Sequence, residues 1–317
     1  MIGDGRPLLA IVALSLMLSG GFAIFQCATG HFLPHDVRFL GMDKEKLCGI
    51  NQCRIVHFMF HDRVSFGGSL IAIGCLYLWL LEFPMRRNEA WAWWLFLVSG
   101  VSGFGSFLAY LGYGYLDSWH GVATLFLLVP YVWGMARTYK WRSNRCGLRS
   151  LFAMAEPFCA VSRSGFSRLL LLATGAGMMA AGATITIVGM TTVFVSQDLR
   201  FMGLTAAELH AVNPKLVPLI AHDRAGFGGG LFTAGLTWFF CVWCGRPARA
   251  LWEALFLAGT IGFVCAIAIH PVVGYIDFGH LLPAYAGAML FTSGIVLSRD
   301  SMCRRPGANE GMNRIGC

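Results

Sequence analysis

Eight apolar runs, each about as long as a bilayer's hydrocarbon core is thick, constrain this chain more than any other feature. They cover approximately residues 8–29, 64–83, 91–112, 121–136, 169–194, 225–244, 251–270 and 280–297. Crossing the hydrocarbon takes about 20 apolar residues in a helix. A strand open to lipid would leave its backbone groups unpaired. The expected fold class is therefore an all-α integral membrane protein with eight transmembrane helices. Composition points the same way. Only 13% of residues are charged while 56% are hydrophobic, against about 25% charged in a soluble domain. That much apolar surface does not fit inside one water-soluble core. The first run is longer than the hydrophobic segment of a signal peptide and corresponds to a later run, so it reads as a retained span.

The formal net charge is +8. In a soluble protein this would suggest nucleic acid as a partner. In a membrane protein it is more economically read as basic loops facing the cytoplasm, and no nucleic-acid partner is expected. With the N-terminus inside, the cytoplasmic segments hold 16 of the 24 lysines and arginines. The outer segments hold Arg38, Lys44, Lys46, Arg54, Arg63, Arg200, Lys215 and Arg224. Both termini are thus expected in the cytoplasm.

The chain also repeats itself. HDVRFLG at 35–41 matches QDLRFMG at 197–203, HDRVSFGGSL at 61–70 matches HDRAGFGGGL at 222–231, and GYLDSWH at 114–120 matches GYIDFGH at 274–280. The offsets are 162, 161 and 160 residues, so the register scarcely drifts. Each copy has four spans, an even number, so both run in the same direction. The expectation is two parallel four-helix repeats related by an axis near the membrane normal. Residues 1–139 form the first repeat, 140–168 a cytoplasmic basic linker, 169–300 the second repeat and 301–317 a cytoplasmic tail.

On this topology all nine histidines fall at or beyond the outer ends of the spans: His31, His35, His57, His61, His120, His210, His222, His270 and His280. The repeated polar core is His-Asp-Arg entering the second span of each half and Asp-x-x-His entering the fourth. In the first half these are His61, Asp62, Arg63, Asp117 and His120; in the second they are His222, Asp223, Arg224, Asp277 and His280. Asp117 and His120 share a helix face, as do His57 and His61. His61, Asp62 and Arg63 fan out by about 100° per residue, so they cannot converge on one ligand.

Three chemistries suit these residues. Paired imidazoles at His61 and His120, and at His222 and His280, can hold a metal or a haem, with carboxylates orienting the rings. Each half resembles, in architecture alone, four-helix membrane proteins that hold haem between two histidines. The metal set expected in the first half is His57, His61, Asp117 and His120, because Pro218 replaces His57 in the second. Alternatively, the polar network of Asp62, Arg63, Asp223, Arg224 and Asp277 relays protons or passes a small solute. Thirdly, Arg63 and Arg224 bind an anionic group.

A structural reading stands beside these. Asp117 and Asp277 sit where helix N-caps belong, and Arg63 with Asp117, or Arg224 with Asp277, would form an interfacial ion pair. The chain would then be a non-catalytic subunit, alone in the bilayer, with membrane-protein partners, or as a homo-oligomer. The glycines after each HDR, Gly67, Gly68 and Gly228 to Gly230, are expected to let helices approach closely. Cys48 and Cys53 lie in the first outer loop, where an oxidising exterior permits a disulfide. No Gly-rich phosphate loop, nucleophile elbow or HExxH is present, which argues against nucleotide, esterase or zinc-protease chemistry.

Overall fold

The computed structural model describes residues 4–108, 115, 118–139, 147–157 and 159–303, the side chains of 118–120 excepted. The described residues are helical and contain no strand. Eight helices are long and apolar enough to cross a membrane: α1 (Arg6–Ala28), α4 (Arg54–Glu82), α5 (Ala90–Phe107), α6 (Ser118–Thr138), α7 (Arg163–Met190), α10 (Leu216–Cys244), α11 (Arg249–Val273) and α12 (Phe278–Cys303). Four short helices, α2 (Pro34–Leu40), α3 (Lys44–Cys48), α8 (Ser196–Met202) and α9 (Ala206–Val212), fill the connections before α4 and α10. These features mark an integral membrane protein.

Two helices form the centre. In their apolar windows, 78% of the α4 segment and 72% of α10 are buried, against 22–39% in the other six. The outer helices turn large side chains such as Leu18, Val101, Phe126, Val264 and Met289 outward. A soluble protein would not leave these in water, whereas lipid receives them without cost. Besides packing on each other, α4 lies against α1 and α11, and α10 against α7 and α5.

The glycines after HDR create this arrangement. A Cβ added at Gly67 would sit 2.7 Å from the Gly20 carbonyl oxygen of α1, and one at Gly68 would sit 2.6 Å from Cys265 Cβ of α11. On α10, Gly228 meets the Thr186 nitrogen of α7 at 2.5 Å and Gly230 meets the Phe66 ring at 2.8 Å. Successive residues of one helix point about 100° apart, so consecutive glycines admit different neighbours. Without side chains there, van der Waals packing between helix backbones supplies the attraction that lipid cannot.

Helix bounds correct two expectations. The second and sixth spans do not start at 64 and 225. They start at Arg54 and Leu216, so each HDR lies inside its helix rather than at its entry. Hydropathy falls at these charges, but the helix continues because each charge has a partner. Likewise the seventh helix begins at Arg163, inside the stretch expected to be linker. There Arg168 donates from Nε to the Val242 carbonyl (3.2 Å) and from Nη2 to the Trp243 carbonyl (2.8 Å). It thereby satisfies carbonyls that the end of α10 would leave orphaned. Trp91 and Trp93, in the first turn of α5, are buried in the core.

At the HDR end, the short-helix connections grip each other reciprocally. Asn213 Nδ2 donates to the Leu40 carbonyl at 2.9 Å, and Asn51 Nδ2 donates to the Met202 carbonyl. Cys48 and Cys53 form a disulfide just before α4.

A candidate metal centre

Each arginine of the two HDR motifs reaches across to the other motif. Arg63 Nε lies 2.8 Å from Asp223 Oδ2, and its Nη1 lies 2.6 Å from Asp36 Oδ2 on α2. Arg224 Nη1 lies 2.5 Å from Asp198 Oδ2 on α8, and its Nε lies 3.4 Å from Asp62 Oδ2. Arg224 also donates to the Val193 carbonyl at 2.9 Å and covers the Phe58 ring at 4.9 Å. Asp36, Asp62 and Asp198 are all at most 1% exposed. Charges buried this deeply require partners, and here one guanidinium serves two carboxylates from different elements.

The expected Arg224–Asp277 pair does not form. Arg224 is taken by Asp62 and Asp198, which are buried with it, while Asp277 sits near the surface 3.6 Å from Arg200. Asp277 does cap α12, accepting from the His280 backbone N–H at 2.8 Å. Its counterpart Asp117 lies outside the described residues, as does the His120 side chain, so the expected Arg63–Asp117 and His61–His120 pairings fall there too.

The histidines His61 and His280 do come together, across the two halves of the chain, with His270 as a third. One ligand nitrogen from each ring lies within 4.8 Å of the other two. Ring centroids are 4.5 Å apart for His61–His270 and 5.3 Å for each pair with His280. His61 and His270 are each 3% exposed. Neither ring nitrogen of His270, nor Nδ1 of His61, makes a regular hydrogen bond among the described residues, although the His270 ring lies beside the Ala266 carbonyl of its own helix. His61 Nδ1 does stand 3.1 Å from Asp62 Oδ1.

His280 is oriented from behind. Its Nδ1 is 3.2 Å from the Tyr275 hydroxyl, which donates to Asp198 Oδ1 at 2.8 Å. Burial first, and then the neighbouring Asp198 charge, push the Tyr275 hydroxyl well above its ordinary pKa. It stays protonated and keeps donating to the carboxylate. The tautomer satisfying this chain has Nδ1–H donating to the tyrosine oxygen, leaving Nε2 with its lone pair. Metal-binding histidines are commonly fixed in this way.

The other end of the network has related parts. Tyr115 donates to Asp36 Oδ1 at 2.8 Å and packs on His222 with ring centroids 4.7 Å apart. Burial first, then Asp36, raise its pKa as well. His222 Nδ1 is 3.3 Å from Asp223 Oδ1. His57, expected with His61 in a metal set, lies one helical turn away, beside the Val273 carbonyl, and is not among the three clustered histidines.

Sequence reasoning had not singled out His270, Asp36, Asp198, Tyr115 or Tyr275 for the site. The two Asp–Tyr pairs are repeated in the quoted motifs and were legible there. His270 has no repeated motif; its signal was an ionisable side chain within a transmembrane run, which is costly unless it has a use. Compared with known protein families, curated proteins and solved structures, the chain matches none.

Proposed function

We propose that the protein binds a transition-metal ion through His61, His270 and His280, at the membrane end where the HDR motifs meet. The observation carrying this reading is the convergence of three imidazoles, those of His61 and His270 buried and that of His280 half-buried. Buried polar groups are nearly always hydrogen-bonded. Protonation would not resolve the cluster, because it would place like charges side by side. A metal ion accepts all three lone pairs at once. Nitrogens ~2.0–2.1 Å from a tetrahedral metal stand ~3.3 Å apart, so ring movements of about 1 Å would close the set.

An all-imidazole donor set suits zinc or copper. Three protein ligands leave a fourth position open for water or substrate, the pattern of catalytic rather than structural sites. Asp62 beside His61, and Asp198 behind Tyr275, supply nearby negative charge. Haem is disfavoured, because rings with centroids 4.5 Å apart leave no room for a macrocycle between them. Transport through the bundle is also disfavoured. The hydroxyls of Thr184, Thr186 and Thr191 on α7 are spent on carbonyls of their own helix.

The test is elemental analysis of protein purified without chelator. The expectation is close to one zinc or copper per chain, lost on dialysis against a strong chelator and regained on adding the ion. Chains that contain no transition metal and take up neither ion would remove the reading.

We further infer that the two halves are duplicated four-helix units related by a pseudo-two-fold axis. The crossed Arg63–Asp223 and Arg224–Asp62 pairs support this, as do the reciprocal Asn213–Leu40 and Asn51–Met202 ties. The HDR end is assigned to the extracytoplasmic side, with both termini in the cytoplasm. The Lys and Arg distribution favours this, and so does the Cys48–Cys53 disulfide, since such bonds persist in oxidising compartments. A membrane-impermeant thiol reagent is expected to label this pair on intact cells only after reduction. Labelling only after the membrane is permeabilised would reverse the orientation.

A further inference from the structure

The connection before α4 holds three successive residues in a conformation that side chains rarely adopt. Asn51, Gln52 and Cys53 have φ of 49°, 56° and 64°. The left-handed region suits glycine and tolerates asparagine, but it is costly for glutamine and cysteine. Such a run persists only where the surrounding structure imposes it. Here the Cys48–Cys53 disulfide closes the loop around these residues. Gln52 is exposed and both cysteines are half-buried, so a reagent in water can reach the bond.

This loop grips α8. Asn51 Nδ2 donates to the Met202 carbonyl, and Arg54 Nη1 donates to the Phe201 carbonyl at 3.4 Å. Both carbonyls belong to the last turn of α8, where no helical N–H follows to meet them. The other end of α8 is constrained as well. Val193, three residues before the helix, has φ of 64°, an outlier for a β-branched side chain. Arg224 holds its carbonyl at 2.9 Å.

Helix α8 in turn carries the support of the histidine triad. Phe201 stacks on Tyr275 with ring centroids 4.4 Å apart and planes 16° from parallel. Asp198 accepts from the Tyr275 hydroxyl, which lies 3.2 Å from His280 Nδ1. A continuous path of contacts thus leads from the disulfide through α8 and Tyr275 to His280.

We propose that the Cys48–Cys53 disulfide is a redox latch on the triad. Oxidised, it holds α8 where α8 supports His280. Reduced, it releases the loop and weakens the metal site. The latch rests on the metal reading above and adds its regulation. The chemistry is exchange with a dithiol. One thiolate of the dithiol attacks a sulfur of the pair, the S–S bond breaks and a mixed disulfide forms. The second thiol of the reductant then displaces it. Cys48 and Cys53 end as two thiols, having gained two electrons and two protons, and the reductant ends as a disulfide. Freed of the bond, Asn51, Gln52 and Cys53 return to negative φ, which draws Asn51 and Arg54 away from α8.

The experiment titrates zinc(II) against a chromophoric chelator on full-length proteins in one detergent. They are the parent with its disulfide, Cys48→Ser/Cys53→Ser, and Cys48→Ser/Gln52→Gly/Cys53→Gly. Serine stands in for the reduced pair without offering zinc two new thiolates. The serine variant is expected to bind about tenfold more weakly or worse, the scale for losing a group that orients a metal ligand. Glycine takes positive φ without steric cost, so the glycine variant keeps the loop shape without the bond and recovers most of the affinity. Melting of the chelated proteins checks folding. If the serine variant does not fold, the parent reduced, alkylated with iodoacetamide and desalted replaces it. Equal Kd for the parent and the serine variant would overturn the latch and leave the metal reading standing. Equal losses in both variants would overturn the strained loop as its cause. A disulfide-bonded parent that takes up no zinc would overturn the latch together with the zinc form of the metal reading.

Discussion

Replacing His270 with leucine is expected to abolish metal retention and, in metal-free protein, to leave stability unchanged or higher. The two halves of this result have one cause. Without metal, both ring nitrogens of His270 are buried and, among the described residues, neither makes a hydrogen bond of regular geometry, the Ala266 carbonyl beside the ring being the nearest acceptor on its own helix. An unsatisfied buried polar group costs roughly 1–3 kcal/mol, and leucine of similar volume removes that cost. With metal, the same substitution removes one of three ligands. A ligand present at 100 times its Kd stabilises the folded state by about 2.7 kcal/mol, and the variant forfeits this. The order of melting temperatures should therefore reverse between chelated and metal-loaded preparations.

Tyr275→Phe grades the same response. It keeps the ring that packs on His280 and Phe201 but removes the hydroxyl between His280 and Asp198. Loss of such an orienting group typically weakens metal binding roughly 10–100-fold, and the loss of a ligand should weaken it further. If the cluster were only a packed histidine core, His270→Leu would give the same stability change with and without metal. Tyr275→Phe would then leave ion uptake untouched. Either outcome would count against the metal reading.

How much of this was legible in the sequence follows from what each residue depends on. The eight helices were readable because spanning lipid requires a local property, a run of apolar residues. The ends of α4 and α10 were misplaced because His61, Asp62 and Arg63 look like a boundary when read locally. The charges of Asp62 and Arg63 are met by Arg224, Asp36 and Asp223, residues on other helices. The cap at Asp277 was legible because it needs only a neighbour three residues on. The triad was not: two of its histidines lie in repeated motifs, but those motifs come from different halves. The third, His270, lies four residues before Gly274 in a span that otherwise reads as plain hydrocarbon. The repeat suggested a site within each half. The crossed contacts of α4 with α11 and of α10 with α5 mix the halves instead.

Arg224→Leu is expected to be the most destabilising single change at the HDR end, lowering stability by about 3–5 kcal/mol. Arg224 is 5% exposed and is the close cation for two carboxylates, Asp62 and Asp198, exposed 1% and 0%. Removing it leaves both to repel each other where water cannot screen them, and it also orphans the Val193 carbonyl. Arg224→Lys should recover only part of the loss. A single ammonium does not reproduce the planar fork that meets Asp198, Asp62 and a carbonyl together. Adding Asp198→Asn to Arg224→Leu should recover more, since it removes one of the two stranded charges. Arg63→Leu should cost less, because its side chain and that of Asp223 are more exposed, at 14% and 9%, so water can compensate in part. The measurement is thermal unfolding of each variant in the same detergent with chelator present, which keeps metal loss out of the comparison. If Arg224→Leu melts like the parent chain, or if Asp198→Asn worsens it, the cross-linked carboxylates are not what holds the two HDR helices together.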